Sequence, residues 1–141
     1  MIYARIDLSG TNYDLLPGAR RLEEIDIGQL QHIYLTYCRH KRFKSVMPIF
    51  DSEFVDPKND VIGYYDEDRL AAFSLIRRYD SENVEAIQFA WDYKNPKLRL
   101  GISSLKSECA LYKSLGYRYL YLGEADEYKS KIDSFEILGP L

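Results

Sequence analysis

The chain has 141 residues, 46% of them hydrophobic and 29% charged, with a net charge of -3. That size and balance describe one globular domain around one core and exclude a disordered tail. The net charge excludes a global attraction to nucleic acid or anionic membrane, and the local basic stretch Arg39-His40-Lys41-Arg42-Lys44 reads most simply as a solvated helix end.

In chain order, Ile2-Tyr3-Ala4-Arg5-Ile6-Asp7-Leu8 alternates like a strand and stops at the turn cluster Ser9-Gly10-Thr11-Asn12. This start lacks the apolar stretch of a signal peptide, and no run of about 18 apolar residues follows, so a cytoplasmic protein without membrane contact is expected. From Gln29 to Val46, the residues Leu30, Ile33, Tyr34, Tyr37 and Cys38 recur at helical spacing along one face. His32 and His40 fall off that stripe and are expected on its exposed side. Val61 to Tyr65, the turn Asp66-Glu67-Asp68 and Arg69 to Ile76 form a hairpin, and Val84 to Trp91 adds a third antiparallel strand after Asp80-Ser81-Glu82-Asn83.

The final third changes period. Ile102, Leu105, Cys109, Tyr112 and Leu115 make one apolar helix face, and Gly116 stands where a left-handed cap would end it. Tyr117 to Leu122 is a β-prone run before Gly123. Strand, helix, strand implies a crossover to a parallel neighbour. The predicted fold is therefore α/β, a mixed sheet built as an antiparallel meander followed by a strand-helix-strand crossover, in a single domain over residues 1–141. Cys38 and Cys109 lie far apart, with no Cys-x-x-Cys and no histidine spaced for zinc, so both are expected as core thiols and no metal is expected.

Gly101, Ser103 and Ser104 stand where a polar loop hands over to the second helix. Unpaired amides and the helix dipole make such an end suited to an anion, and the serines can cap it. An ordinary capped helix start, with the glycine easing the turn, accounts for the same residues.

Trp91-Asp92, Leu100-Gly101, the helix carrying Glu108, and Tyr119-Leu120-Tyr121-Leu122-Gly123 resemble, in order and spacing, the C-terminal acyltransferase-like domain of arginyl-tRNA-protein transferases and the related leucyl/phenylalanyl enzymes. The core of that domain has the GNAT fold. Tyr128 to Pro140 resembles the family's closing segment and Leu30 to Phe43 its early helix, so the resemblance covers positions 30 to 140. Where the family carries a longer Cys-Pro-Lys-Met segment, this chain has Glu124-Ala125-Asp126-Glu127. The stretch with Arg99, Gly101 and Ser103 offers one glycine to the arginine-and-glycine pyrophosphate loop of acetyl-CoA-using relatives.

The resemblance implies a donor lying between Gln88–Trp91 and Tyr119–Leu122, its phosphate held by Arg99, Gly101, Ile102, Ser103 and Ser104. Asp92, at the end of its strand, is then the carboxylate to orient or deprotonate an amine, although an aspartate at a loop start also makes turns. Tyr121 and Tyr128 are candidate proton donors to the leaving group. In a chain with 13 tyrosines any one of them more often packs. Glu108, two turns into its helix, is expected as a solvated or salt-bridged side chain. The implied activity is N-acyl transfer, with acetyl-CoA or another acyl-CoA as donor and an amine-bearing small molecule or protein N-terminus as acceptor. Aminoacyl-tRNA-dependent transfer to a protein N-terminus is the second reading, and a non-catalytic GNAT-like binding module the third.

Overall fold

The structure is a computed structural model that describes residues 2–41, 49–92, 100–122 and 131–140. Its frame is a seven-stranded sheet in the order β2-β3-β4-β5-β6-β1-β7. The strands are β1 (Ile2–Asp7), β2 (Ala19–Arg21), β3 (Asn59–Asp66), β4 (Arg69–Arg78), β5 (Asn83–Trp91), β6 (Tyr119–Tyr121) and β7 (Phe135–Pro140). The helices are α1 (Ile27–Lys41), α2 (Asp51–Val55) and α3 (Leu100–Ser114).

The expected meander is present: β3 to β5 pair antiparallel in sequence, and Glu67 takes a positive φ of 57° in the β3–β4 turn. Past α3 the chain returns as β6, parallel to β5, with Val84 opposite Leu120. The crossover therefore gives the neighbouring parallel strands that the sequence predicts. The sheet is closed by β1, which lies between β6 and β7 and runs antiparallel to both.

Each face of the sheet carries its own apolar layer. On one face, Leu105, Cys109 and Tyr112 of α3 pack with Ile62, Tyr64, Ala72, Ile76, Val84 and Leu120. On the other, Leu30, Ile33, Tyr34 and Cys38 of α1 and Phe54 of α2 cover Val61, Phe73, Leu75 and Ala90. Between two helical layers β4 is buried from Leu70 to Ile76, which is why that strand reads as an almost unbroken apolar run.

Local chemistry sets the element ends. Asp26 caps α1 by accepting the Gln29 amide at 3.1 Å. At the other end of the crossover helix, Gly116 has φ +93°, and the amides of Gly116 and Tyr117 donate back to Lys113 and Tyr112, each at 3.0 Å. This is the left-handed cap expected there. Leu115, read as part of the apolar face, lies beyond the last helical residue and is exposed, because the chain has already turned off the helix axis. His32 and His40 are exposed as expected, and both cysteines are buried free thiols.

Candidate donor cleft

Among the described residues, strands β5 and β6 pair over Asn83–Glu85 and Tyr119–Tyr121. Beyond that they follow different neighbours. The end of β5 stays on β4, with Trp91 opposite Ala72 and the Asp92 amide donating to the Ala71 carbonyl at 2.7 Å. The end of β6 stays on β1, with the Leu122 amide donating to the Ala4 carbonyl at 2.9 Å. Among the described residues the parallel ladder thus ends at the Glu85–Tyr121 pair, the vertex of a V whose long arm is β5. Ala86 to Trp91 form its free arm, without a ladder partner on the β6 side among the described residues.

A β-bulge bends that arm. Leu75 faces Gln88 and Ile76 faces Ala86, so Ile87 is an extra residue on β5. A bulge removes its extra residue from the ladder and increases the local twist. Ile87 went unnoticed in the sequence because a β-branched residue in a β-rich run carries no bulge signal.

The free arm leads to α3, whose first helical residue is Leu100. Gly101 is therefore the second residue of the helix, and Ile102 and Ser103 complete its first turn; the leading amides of a helix have no partner within it. Ser103 and Ser104 do not cap this end, because they already lie inside the helix. Ser104 is turned against the sheet, buried, with its carbonyl accepting the Tyr64 hydroxyl at 3.2 Å. Ile102 packs against the core layer under α3. Arg99 and Tyr128 lie outside the described residues.

The remaining candidates fall at opposite ends of the free arm. Asp92 ends it, with its side chain 11% exposed and ion-paired to the Arg69 guanidinium, itself 45% exposed. Tyr121 marks the vertex, where its oxygen accepts from Arg5 Nη1 at 3.3 Å while Arg5 Nε is held by Glu136 at 2.7 Å. From the Tyr121 register position to Asp92 is about 23 Å of extended strand at roughly 3.3 Å per residue, so one reacting atom cannot touch both side chains.

Glu108 departs from its expectation. It is 4% exposed, beneath α3 and beside the Tyr64 hydroxyl. Burial first, and then the Glu108 charge, push that hydroxyl far above its ordinary range. Residue type favoured solvent for Glu108, but the helix rotates it onto the sheet in step with Ser104 and Tyr112.

Among the described residues, no group of three or more His, Cys, Asp or Glu side chains could hold a metal, and no helix is long and apolar enough to cross a membrane. A cavity of about 290 Å³ lined by Arg21, Glu23, Asp56, Asn59 and Asp60 opens beside the start of β3. It lies at the other end of the sheet from the V and plays no part in it.

No protein-family model and no curated relative matches the sequence. Solved structures do match in fold. A GNAT-family acetyltransferase from Novosphingobium aromaticivorans superposes with a TM-score of 0.66 at 16% identity, over 96% of this chain and 59% of that one. N-myristoyltransferase from Saccharomyces cerevisiae, solved with bound myristoyl-CoA, gives 0.66 at 13% identity, over 96% of this chain and 46% of that one. An aminoglycoside acetyltransferase from an uncultured soil metagenomic sample gives 0.58 at 12% identity, over 79% of each chain. The chain spans only about half the length of the first two. Together with the mixed sheet and its short parallel pair, these superpositions give the chain a GNAT-like fold.

Proposed function

We propose that this chain is an N-acyltransferase that moves an acyl group, most simply acetyl from acetyl-CoA, to an amine on a small molecule or a protein N-terminus. The observation that carries the reading is that the β5–β6 ladder ends at Glu85–Tyr121 and leaves Ala86–Trp91, on the way to the start of α3, without a β6 partner among the described residues. An extended donor bearing amides can pair with the free arm of β5 as a strand would, while its phosphates meet the leading amides of α3. The ladder-free Ile87 is the kind of backbone group that an acyl oxygen needs as charge builds on it.

In the transfer, the neutral amine nitrogen attacks the thioester carbonyl carbon; the N–C bond forms, the C–S bond breaks, and the amine gives up its proton to water, from which the group that protonates the thiolate regains its own. The leaving thiolate takes one. Tyr121 suits the second role, because its oxygen accepts from Arg5 and its own proton remains to be donated. Tyr128 enters the same role by the resemblance alone. Asp92, farther along the arm and already shared with Arg69, suits the holding of a cationic acceptor at the mouth better than proton removal at the acyl carbon. The GNAT-fold neighbours named as acetyltransferases, and the one with bound myristoyl-CoA, support an acyl-CoA donor.

Thermal shift with acetyl-CoA, CoA and aminoacyl-tRNA in parallel tests the reading. A ligand at about 100 times its dissociation constant adds about 2.7 kcal/mol of stability. Stabilisation by both CoA compounds, with acetyl transfer to an amine panel, is expected. Stabilisation by aminoacyl-tRNA alone would move the donor to the tRNA class, and CoA binding without turnover on any amine would leave a binding module.

A further inference from the structure

Two hydroxyl–carboxylate pairs of opposite sense join α3 to β3 inside the core. Near the start of the helix, Tyr64 of β3 offers its hydroxyl to α3: its one proton is directed at the Ser104 carbonyl at 3.2 Å, with the Glu108 carboxylate and the Ser74 hydroxyl beside it. Toward the end of the helix the sense reverses. Tyr112 of α3 donates to Asp60 Oδ2 of β3 at 2.8 Å, and Asp60 also faces Arg78 Nε at 3.3 Å. Ser104, Glu108 and Tyr112 are spaced four residues apart, so they form one column on the helix, while Tyr64 and Asp60 point to the same face of β3.

The two rungs differ in what they stand next to. The Tyr64 ring packs edge-on against Phe89 of the free β5 arm, with centroids 6.2 Å apart, and its hydroxyl holds a carbonyl from the opening turns of α3. One side chain therefore fixes the distance between the arm and the helix start. The Tyr112 rung lies at the opposite end of the helix and edges onto Tyr117 at 5.6 Å.

We infer that Tyr64, anchored by Glu108, is a positioning residue that sets the height of the α3 start above the free arm of β5 and thereby governs donor affinity. This rests on the proposed CoA-thioester donor. Apolar packing alone would let the helix slide along the sheet, whereas a buried hydroxyl that must find its acceptors admits one register. The inference separates two tyrosines with like burial and like partners: the first belongs to the cleft, the second only to the fold.

The test compares Tyr64→Phe with Tyr112→Phe, each of which keeps its ring and loses its hydroxyl. Amide hydrogen exchange followed by mass spectrometry reads the helix, and calorimetric titration with CoA reads the cleft. Tyr64→Phe is expected to speed exchange across Ser104–Glu108, whose amides are paired within the helix, and to weaken CoA at least tenfold; Tyr112→Phe is expected to speed exchange near Leu111–Ser114 and to leave CoA affinity within twofold. Glu108→Gln, which keeps a polar group beside the Tyr64 hydroxyl, is expected to retain more affinity than Glu108→Leu. Equal loss of CoA in both tyrosine variants, or faster exchange in Tyr64→Phe with unchanged CoA affinity, would overturn the assignment. If the parent protein binds no CoA, the donor reading fails by itself, and the exchange data still decide whether Tyr64 holds the helix start; unchanged exchange there removes the positioning role.

Discussion

The Arg69 guanidinium and the Asp92 carboxylate form an ion pair across the ends of β4 and β5, which fixes the carboxylate at the mouth of the V and supplies it with a positive neighbour. A carboxylate so placed can exchange part of its contact with arginine for contact with an incoming ammonium group. For Asp92→Asn we expect unchanged CoA affinity and a KM for the amine raised roughly tenfold to a hundredfold, the range for losing a hydrogen bond to a charged group. Steady-state kinetics with a cationic and an uncharged acceptor will check it. Equal effects on both acceptors would assign Asp92 to structure alone.

Tyr121 tests the other end of the arm. Tyr121→Phe removes the proposed proton donor and leaves the ring beside Tyr119, 6.4 Å away between centroids. Positioned acids and bases contribute about a hundredfold to ten-thousandfold in rate, so kcat should fall within that range while CoA affinity holds. A variant that turns over at the parent rate shifts the role to Tyr128 or to water.

The buried ionisable groups give the protein an alkaline limit. Burial, and then the Glu108 charge, push the Cys109 thiol from 9.0 to about 12, and burial raises the Tyr64 and Tyr112 hydroxyls well above 10.0. Each is a group whose proton is held more tightly in the folded state, so its contribution is fully present below the unfolded-state pKa and is lost as pH rises above it. Stability should fall from about pH 9 by up to about 1.4 kcal/mol per pH unit through Cys109, and more steeply above pH 10 as the tyrosines join. Urea unfolding at pH 7, 9, 10 and 11 measures this. Cys109→Ala should remove the first part of the slope, and a flat profile to pH 11 would contradict the burial of these groups.

Gly116 isolates a backbone effect. A Cβ there would meet nothing within 4 Å, so the cost of Gly116→Ala comes only from its φ of +93°. About 1–2 kcal/mol of destabilisation is expected, as for an L-residue forced into left-handed backbone. Denaturant midpoints will show it, and an unchanged midpoint would mean that the helix ends in another conformation.

What could be read from the residues and what could not divides along physical lines. The hairpin, the third strand, both long helices and the parallel return strand are written in side-chain periodicity, which depends only on which face each residue buries. Strand β2, with the sequence Ala-Arg-Arg, is three residues long and is held by pairing with β3, so no local pattern marks it. The placement of β1 between β6 and β7 depends on partners more than a hundred positions away, such as Arg5 and Glu136. In the cleft, Gly101 and Asp92 were visible as residue types at element ends. The bulge at Ile87, the Arg69 partner of Asp92 and the inward turn of Glu108 are products of three-dimensional packing, and none of them leaves a residue-type signal.

Gly101 is the residue on which the proposed donor site depends most directly. As the second residue of α3 it lies in the turn whose amides lack helical partners, and glycine inside a helix is otherwise a cost of roughly 0.8–1 kcal/mol relative to alanine. A helix start chosen for stability alone would therefore favour another residue there. Close approach of a phosphate to the backbone supplies a reason for accepting that cost. Gly101→Ala should then raise thermal stability slightly and weaken CoA modestly, whereas Gly101→Val should leave the fold intact and abolish detectable CoA binding by calorimetry. Two outcomes would contradict the site. If Gly101→Val unfolds the protein while Gly101→Ala does not, the glycine serves close packing of the helix; if both variants bind CoA as the parent does, the phosphates are held elsewhere along the V.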